Sequence, residues 1–199
     1  MQEENAVNFA HKDTVFRKLF SDKANLLSLY NALNKKKYDN PDELTVVTLE
    51  NAIYMEMKND IAFMIGFDIH MYEHQSTQNP NMPLRFLQYI AEEYRRLTDK
   101  KSLYSRKLIK IPKPRFVVFY NGTEDSGDHE QMKLSDAFIQ DDEKVLTLEL
   151  CVDMYNINAG HNPEILDACK TLKGYAKVHK ANQGKRENDD AEASGQSGD

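Results

Sequence analysis

Three short apolar segments follow one another in the first half of the chain, and they constrain the fold more than any other feature of the sequence. They cover residues 45–58, 61–67 and 68–75, with Gly66 at a possible bend between the second and the third. Segments this short and apolar are typical of strands in a buried central sheet. The sequence therefore predicts three consecutive strands, the last two joined by a tight hairpin.

Helical patterns lie on both sides of these strands. Residues 13–34 carry apolar side chains at helical spacing, interrupted at Ser21 and Asp22, which predicts either one helix or two short ones. An amphipathic helix from Pro83 and a short buried strand over 116–120 follow the strands. This order predicts the α/β class, with a mixed central sheet flanked by helices and an αβββαβ core.

Signals are weaker in the C-terminal part. Residues 124–130 predict a polar loop and 144–152 predict a strand, whereas Asn162 followed by Pro163 predicts a capped helix start. Gly, Ser, Asn, Asp and Glu dominate 181–199, which predicts a disordered acidic tail.

Composition argues against several classes of protein. No stretch approaches the roughly 18 consecutive apolar residues of a membrane helix, and the acidic residues 1–5 do not resemble a signal peptide. Cys151 and Cys169 are too few and too far apart for a zinc site, and Cys169 is expected to be buried on an apolar helix face. These features predict a cytoplasmic protein with no membrane partner.

Charge is distributed unevenly along the chain. The net charge is −6, and residues 187–199 contribute −5 of it, so that 1–186 carry −1. Residues 95–115 hold nine Lys and Arg side chains against Asp99 alone. Such a patch is expected to bind a phosphate backbone, and a solvated surface loop explains the charge equally well. The candidate DNA contacts are Arg85, Arg95, Arg96, Lys100, Lys101 and Arg106.

The third predicted strand ends in two polar residues that could form a catalytic site, Glu73 and Gln75. Strand alternation puts Glu73 and Gln75 on the same face as Ile69 and Met71, and a hairpin at Gly66 brings Asp60 near Glu73. Two carboxylates at a strand end suit a hard divalent cation such as Mg²⁺. On spacing alone, an equally ordinary interpretation makes Asp60 a turn residue and leaves Glu73 in solvent at the strand end.

Six stretches carry a resemblance to a known family; they cover 12–20, 57–61, 72–77, 81–85, 114–122 and 156–162. Together they resemble the PD-(D/E)XK nuclease superfamily and, more closely, its recombination-promoting nuclease and transposase family. The resemblance implies a restriction-endonuclease-like domain over 8–180 and hydrolysis of DNA dependent on Mg²⁺ or Mn²⁺. It also implies that Asp60 and Glu73 are catalytic metal ligands.

The resemblance is incomplete at one catalytic position. Gln75 stands where the superfamily most often has lysine, and an amide brings no positive charge. Lys58 is close enough in sequence to supply one, and Asp13 matches an acidic position on the first helix or acts as its N-cap. The predicted function is a DNA endonuclease of recombination or transposition, a homodimer if it cuts both strands. The alternative is a catalytically impaired module that binds DNA or protein.

Overall fold

The computed structural model describes residues 14–47, 60–139 and 147–178, and for Asp60 it describes the backbone. Several predicted features lie outside the described residues: Asp13, residues 48–58 of the first strand segment with Lys58, and the 181–199 tail. The helices are α1 (14–20), α2 (Lys23–Asn34), α3 (Met82–Leu97), α4 (Pro163–Ala168) and α5 (170–178). The strands are β1 (Thr45–Val47), β2 (Asp60–Ile65), β3 (Asp68–Gln75), β4 (Lys113–Tyr120), β5 (His129–Lys133) and β6 (Cys151–Asn156).

The six strands form one mixed sheet in the order β1-β2-β3-β4-β6-β5. The first three strands are antiparallel neighbours, β3, β4 and β6 run parallel, and β5 returns antiparallel to β6. Helix α3 provides the crossover that the parallel pairing of β3 and β4 requires. The predicted α/β architecture, a mixed sheet flanked by helices, is therefore confirmed.

The N-terminal helical region is divided in two, as one of the predicted alternatives had it. The Asp22 side chain accepts a hydrogen bond of 2.9 Å from the Asn25 backbone N–H, which caps the start of α2. The helix ends at Lys35, whose φ of 52° lies in the left-handed region.

Each face of the sheet has its own core. Residues from α1, α2, α4 and α5 pack on one face, where Tyr72 and Phe119 are fully buried. Helix α3 covers the other face through Phe86 and Ile90, against Met71. The alternation predicted for β3 is confirmed, because Met71 and Tyr72 belong to different cores. Among the described residues, no helix combines the length and apolar character needed to cross a membrane.

Two predictions for the C-terminal part were wrong in their bounds. Residues 129 and 130, assigned to a loop, belong to β5, an edge strand whose residues are mostly exposed and which therefore lacks an apolar alternation. The strand predicted over 144–152 is β6, which begins only at Cys151; residues 147–150 are not in a strand, and 140–146 lie outside the described residues. Pairing of β6 with β4, a contact distant in sequence, sets its position.

The helix that follows also differs from expectation. Asn162 precedes α4 but does not cap it with its side chain, because its amide donates to the backbone oxygens of Asp128 and Asn156. Cys169 then interrupts the helical run in an extended conformation and separates α4 from α5. Its side chain is buried, as predicted, and both cysteines are free.

Candidate functional site

The β2–β3 hairpin brings the two predicted acidic residues into register. Gly66 adopts a φ of +59°, which suits the tight turn, and Asp60 pairs directly opposite Glu73. Positions paired in this way on antiparallel strands share a face of the sheet, with Cβ atoms about 4.5–5.5 Å apart. Asp60 and Glu73 therefore occupy the same face and the same end of the hairpin.

Glu73 is a buried carboxylate with close polar partners. It is 3% exposed, and its Oε1 lies 3.0 Å from Nη2 of Arg85. The same oxygen accepts a hydrogen bond of 3.1 Å from Nε2 of Gln75. Burial of a carboxylate is costly unless such partners offset the lost hydration. The fraying, solvated Glu73 of the alternative interpretation is thus not what the structure has.

Gln75 is held from both sides at the end of β3. Its Nε2 also contacts Sδ of Met82, the first residue of α3, at 2.7 Å. Its Oε1 is buried and has no hydrogen-bond partner among the described residues. An amide oxygen beside the Glu73 carboxylate is a ligand that Mg²⁺ or Mn²⁺ accepts, so these two residues fit a hard cation. Among the described side chains, no group of three or more His, Cys, Asp or Glu residues is arranged to bind metal.

Arg85 was predicted to contact phosphate, and the structure places it on Glu73. Its Nε donates to the Tyr89 hydroxyl at 3.1 Å, and its guanidinium lies 5.8 Å from the centre of the Tyr89 ring. The side chain is 33% exposed, so it faces the carboxylate and solvent at once. Sequence reasoning missed this ion pair because the path of the loop before α3 decides it.

Arg95 and Arg96, at the other end of α3, are engaged within their own helix. Arg95 pairs with Glu92, and Nη1 of Arg96 lies 3.1 Å from Oε1 of Glu93. The two positive charges are matched by two negative ones. Arg85 is ten residues away, about 15 Å along the helix axis. This end of α3 is therefore distant from Glu73, and the DNA contacts expected of Arg95 and Arg96 stay a prediction.

Lys100, Lys101 and Arg106 are exposed in the connection between α3 and β4. That connection enters β4 at Lys113, which pairs with Asp68, whereas Glu73 pairs with Val118. Five strand residues correspond to about 17 Å. The structure therefore does not bring these three cations to the candidate site.

His74 lies on the sheet face opposite Glu73, as strand alternation requires. Its ring stacks on Phe16 of α1 at 5.0 Å, and its Nε2 is 3.0 Å from the Tyr175 hydroxyl of α5. The side chain thus connects the two helices that cover this face. Nδ1 of His161 lies 2.7 Å from Oδ1 of Asp128, on another part of the chain.

Buried polar residues at the carboxyl ends of β3 and β4 were not predicted as site residues. Asn121 is fully buried, and neither end of its amide has a hydrogen-bond partner within the described ranges. Ser76 is buried too, with an unpartnered hydroxyl in the same part of the structure. Open α/β sheets bind ligands at this end of parallel strands. The Asn121-Gly122 turn was the available sequence signal.

Comparison with protein-family models, curated proteins and solved structures found no match. The family resemblance therefore stays a prediction carried by the residues themselves.

Proposed function

We propose that this chain is a metal-dependent DNA endonuclease of recombination or transposition, with a restriction-endonuclease-like fold. The observation that carries the proposal is the pairing of Asp60 opposite Glu73, with the Glu73 carboxylate buried beside Gln75. A buried acid on a strand otherwise used for the core contributes nothing to packing. Arg85 and Gln75 already partner one of its oxygens, and a cation shared with Asp60 would add a second partner of opposite charge.

Asp60 and Glu73 would hold Mg²⁺ or Mn²⁺. When bound, the cation would supply Lewis acidity toward a phosphodiester oxygen and lower the pKa of an attacking water. Gln75 orients Glu73 through its Nε2, and its buried Oε1 has no hydrogen-bond partner among the described residues.

Arg85 would supply the positive charge that Gln75 lacks. Its guanidinium lies 3.0 Å from Glu73 and remains one-third exposed, so it is within reach of an entering phosphate. A planar guanidinium binds phosphate through two hydrogen bonds. In the substrate complex, Arg85 would exchange its contact with Glu73 for a contact with the scissile phosphate.

A second candidate function follows from the same ion pair. Arg85 already neutralises much of the Glu73 charge, and Gln75 is neutral. A site stabilised in this way also suits a module that has lost cleavage and keeps DNA or protein binding.

A plasmid-nicking assay with and without Mg²⁺ or Mn²⁺ tests the proposal. Wild type should cut with metal, and Asp60→Asn and Glu73→Gln should each slow cutting by about a hundredfold or more. Asp68→Asn is the matched control, because Asp68 lies at the opposite end of β3, partly exposed beside Arg115.

Three results would contradict the proposal. A wild type that never cuts favours the impaired module. Equal cutting by wild type, Asp60→Asn and Glu73→Gln places the active site elsewhere. Equal loss in Asp68→Asn indicates a general structural effect.

A further inference from the structure

The connection from α3 into β4 carries several positive charges that form no ion pairs within the described ranges. Its six cations, all exposed, are Lys100, Lys101, Arg106, Lys107, Lys110 and Lys113. Within the described ranges none of them forms an ion pair, in contrast to Arg95 and Arg96 on the preceding helix. Asp99 is the one acidic residue among 99–113. The surface is therefore strongly electropositive, unlike the rest of a net acidic chain.

Large apolar side chains are exposed among these cations. Tyr104 is 91% exposed and Leu108 is 82% exposed. Phe67, at the tip of the β2–β3 hairpin, is 93% exposed, and its carbonyl accepts a hydrogen bond of 3.0 Å from the Lys113 backbone N–H. The hairpin tip and the connection are thus one continuous region. We call Phe67 together with residues 99–113 the hairpin-loop surface.

We propose that the hairpin-loop surface binds an unpaired nucleic-acid strand, with bases stacked on Phe67 and Tyr104 and phosphates beside the six cations. Aromatic rings interleaved with cations form the usual platform for single strands, because every base has a face to stack. The inference rests on the proposed function for the nature of the ligand. It adds that the substrate has a single-stranded or opened segment.

The position of this surface sets its relation to cleavage. It begins about 17 Å along the strands from Glu73, a distance of about five stacked nucleotides at 3.4 Å each. The hairpin-loop surface would therefore hold the strand on one side of the scissile phosphate and take no part in the chemistry.

An anionic bilayer is the other partner that combines these features. The structure favours nucleic acid because the connection contains a single short 3₁₀ turn, Ser102–Tyr104, and no amphipathic helix to lie in a bilayer interface. The two rings stand on the hairpin tip and on the connection, and each is more than nine-tenths exposed, so that its face is open to a base.

Fluorescence anisotropy with labelled single-stranded and duplex oligonucleotides, in EDTA, tests the inference without cleavage. The test variants are Phe67→Ala/Tyr104→Ala and Lys107→Gln/Lys110→Gln. Their matched controls are Phe138→Ala, an exposed ring elsewhere, and Lys36→Gln/Lys37→Gln, two exposed lysines after α2. All substituted side chains are exposed, so the variants should fold, which thermal denaturation checks.

Wild type should bind the single strand more tightly than the duplex. Removal of both rings should weaken single-strand binding at least about fivefold. Removal of two lysines should reduce the slope of log affinity against log salt by about 1.4. The controls should bind as wild type does.

The inference is overturned if the ring variant binds single strands as wild type does, or if phosphatidylserine vesicles retain the wild type and oligonucleotides do not. Binding by a protein that never nicks DNA would contradict the proposed nuclease activity and leave this inference standing. Nicking by the wild type, with variants that bind single strands as the wild type does, would support the nuclease activity and contradict this inference.

Discussion

Arg85 contacts Glu73 across 3.0 Å, from the second turn of α3 to the end of β3. The same oxygen of Glu73, Oε1, also accepts a hydrogen bond of 3.1 Å from Nε2 of Gln75. A buried acid is thus stabilised by one cation and one neutral donor. Arg85 and Gln75 thus offset the buried charge of Glu73 together, and this leads to specific predictions.

Replacement of Arg85 should destabilise the protein and increase the stabilisation that added metal provides. Arg85→Met removes a contact that offsets the burial of Glu73, at a cost of about 2 kcal/mol after allowance for its partial exposure. Arg95→Met, which breaks an exposed ion pair with Glu92, should cost less than about 0.5 kcal/mol. Urea unfolding measures both. MnCl₂ should stabilise Arg85→Met more than wild type, since the ion replaces the lost charge.

Equal stability of Arg85→Met and Arg95→Met would show that the ion pair contributes little. An unchanged response to MnCl₂ would separate Arg85 from the metal site.

Gln75→Lys should have opposite effects in two backgrounds. In the wild type, a lysine at this buried position places a second cation beside Arg85 and should destabilise the protein. In Arg85→Met, the same lysine supplies the missing charge to Glu73. A double-mutant cycle by urea unfolding should therefore give a favourable coupling of about 1 kcal/mol or more, and nicking should recover in the double variant. Additive losses would argue against a shared role.

Gly122→Ala should disturb the end of β4 next to the site. A Cβ at this position would lie well inside contact distance of the Ser76 carbonyl oxygen and the Tyr120 hydroxyl. Because these neighbours are backbone and a buried ring, we expect a loss of about 1–3 kcal/mol. Gly127→Ala, with open space around its Cβ, should change stability by less than about 0.5 kcal/mol. Thermal denaturation that ranks the two variants equally would contradict this.

His70 should make the protein sensitive to mild acid. Burial lowers the pKa of His70 from 6.5 to about 4, with Asp68 raising it and Arg115 lowering it by smaller amounts. Its ring is packed against Phe63 and Tyr30. Between pH 6.5 and 4, His70 is protonated in the unfolded chain and neutral in the folded protein. Stability therefore falls as the pH falls through this range, by about 3 kcal/mol in total.

Urea unfolding between pH 7 and 4 checks this as the difference between wild type and His70→Phe. The variant should lose less stability over this range. His129→Gln, at an exposed position beside Asp153, should retain the wild-type dependence. Parallel curves for wild type and His70→Phe would contradict the assignment.

Elements with a strong local pattern were predictable. The β3 span matches the predicted 68–75, since its alternation is local and its bend falls at Gly66. Helix α3 was recognised from its apolar face and Pro83. Strand β5 was missed because an exposed edge strand has no buried side to mark it, and β6 was displaced because its register depends on β4.

The sequence by itself determined the order of the main elements and put Glu73 and Gln75 on one face of β3, because strand alternation is a local property of the backbone. Only the tertiary structure decided that Arg85 reaches Glu73 and that the exposed cations lie at the far end of the strands. Those outcomes depend on how the crossover through α3 returns the chain to the sheet. Contacts between segments separated by a helix depend on three-dimensional packing and leave no period in the sequence.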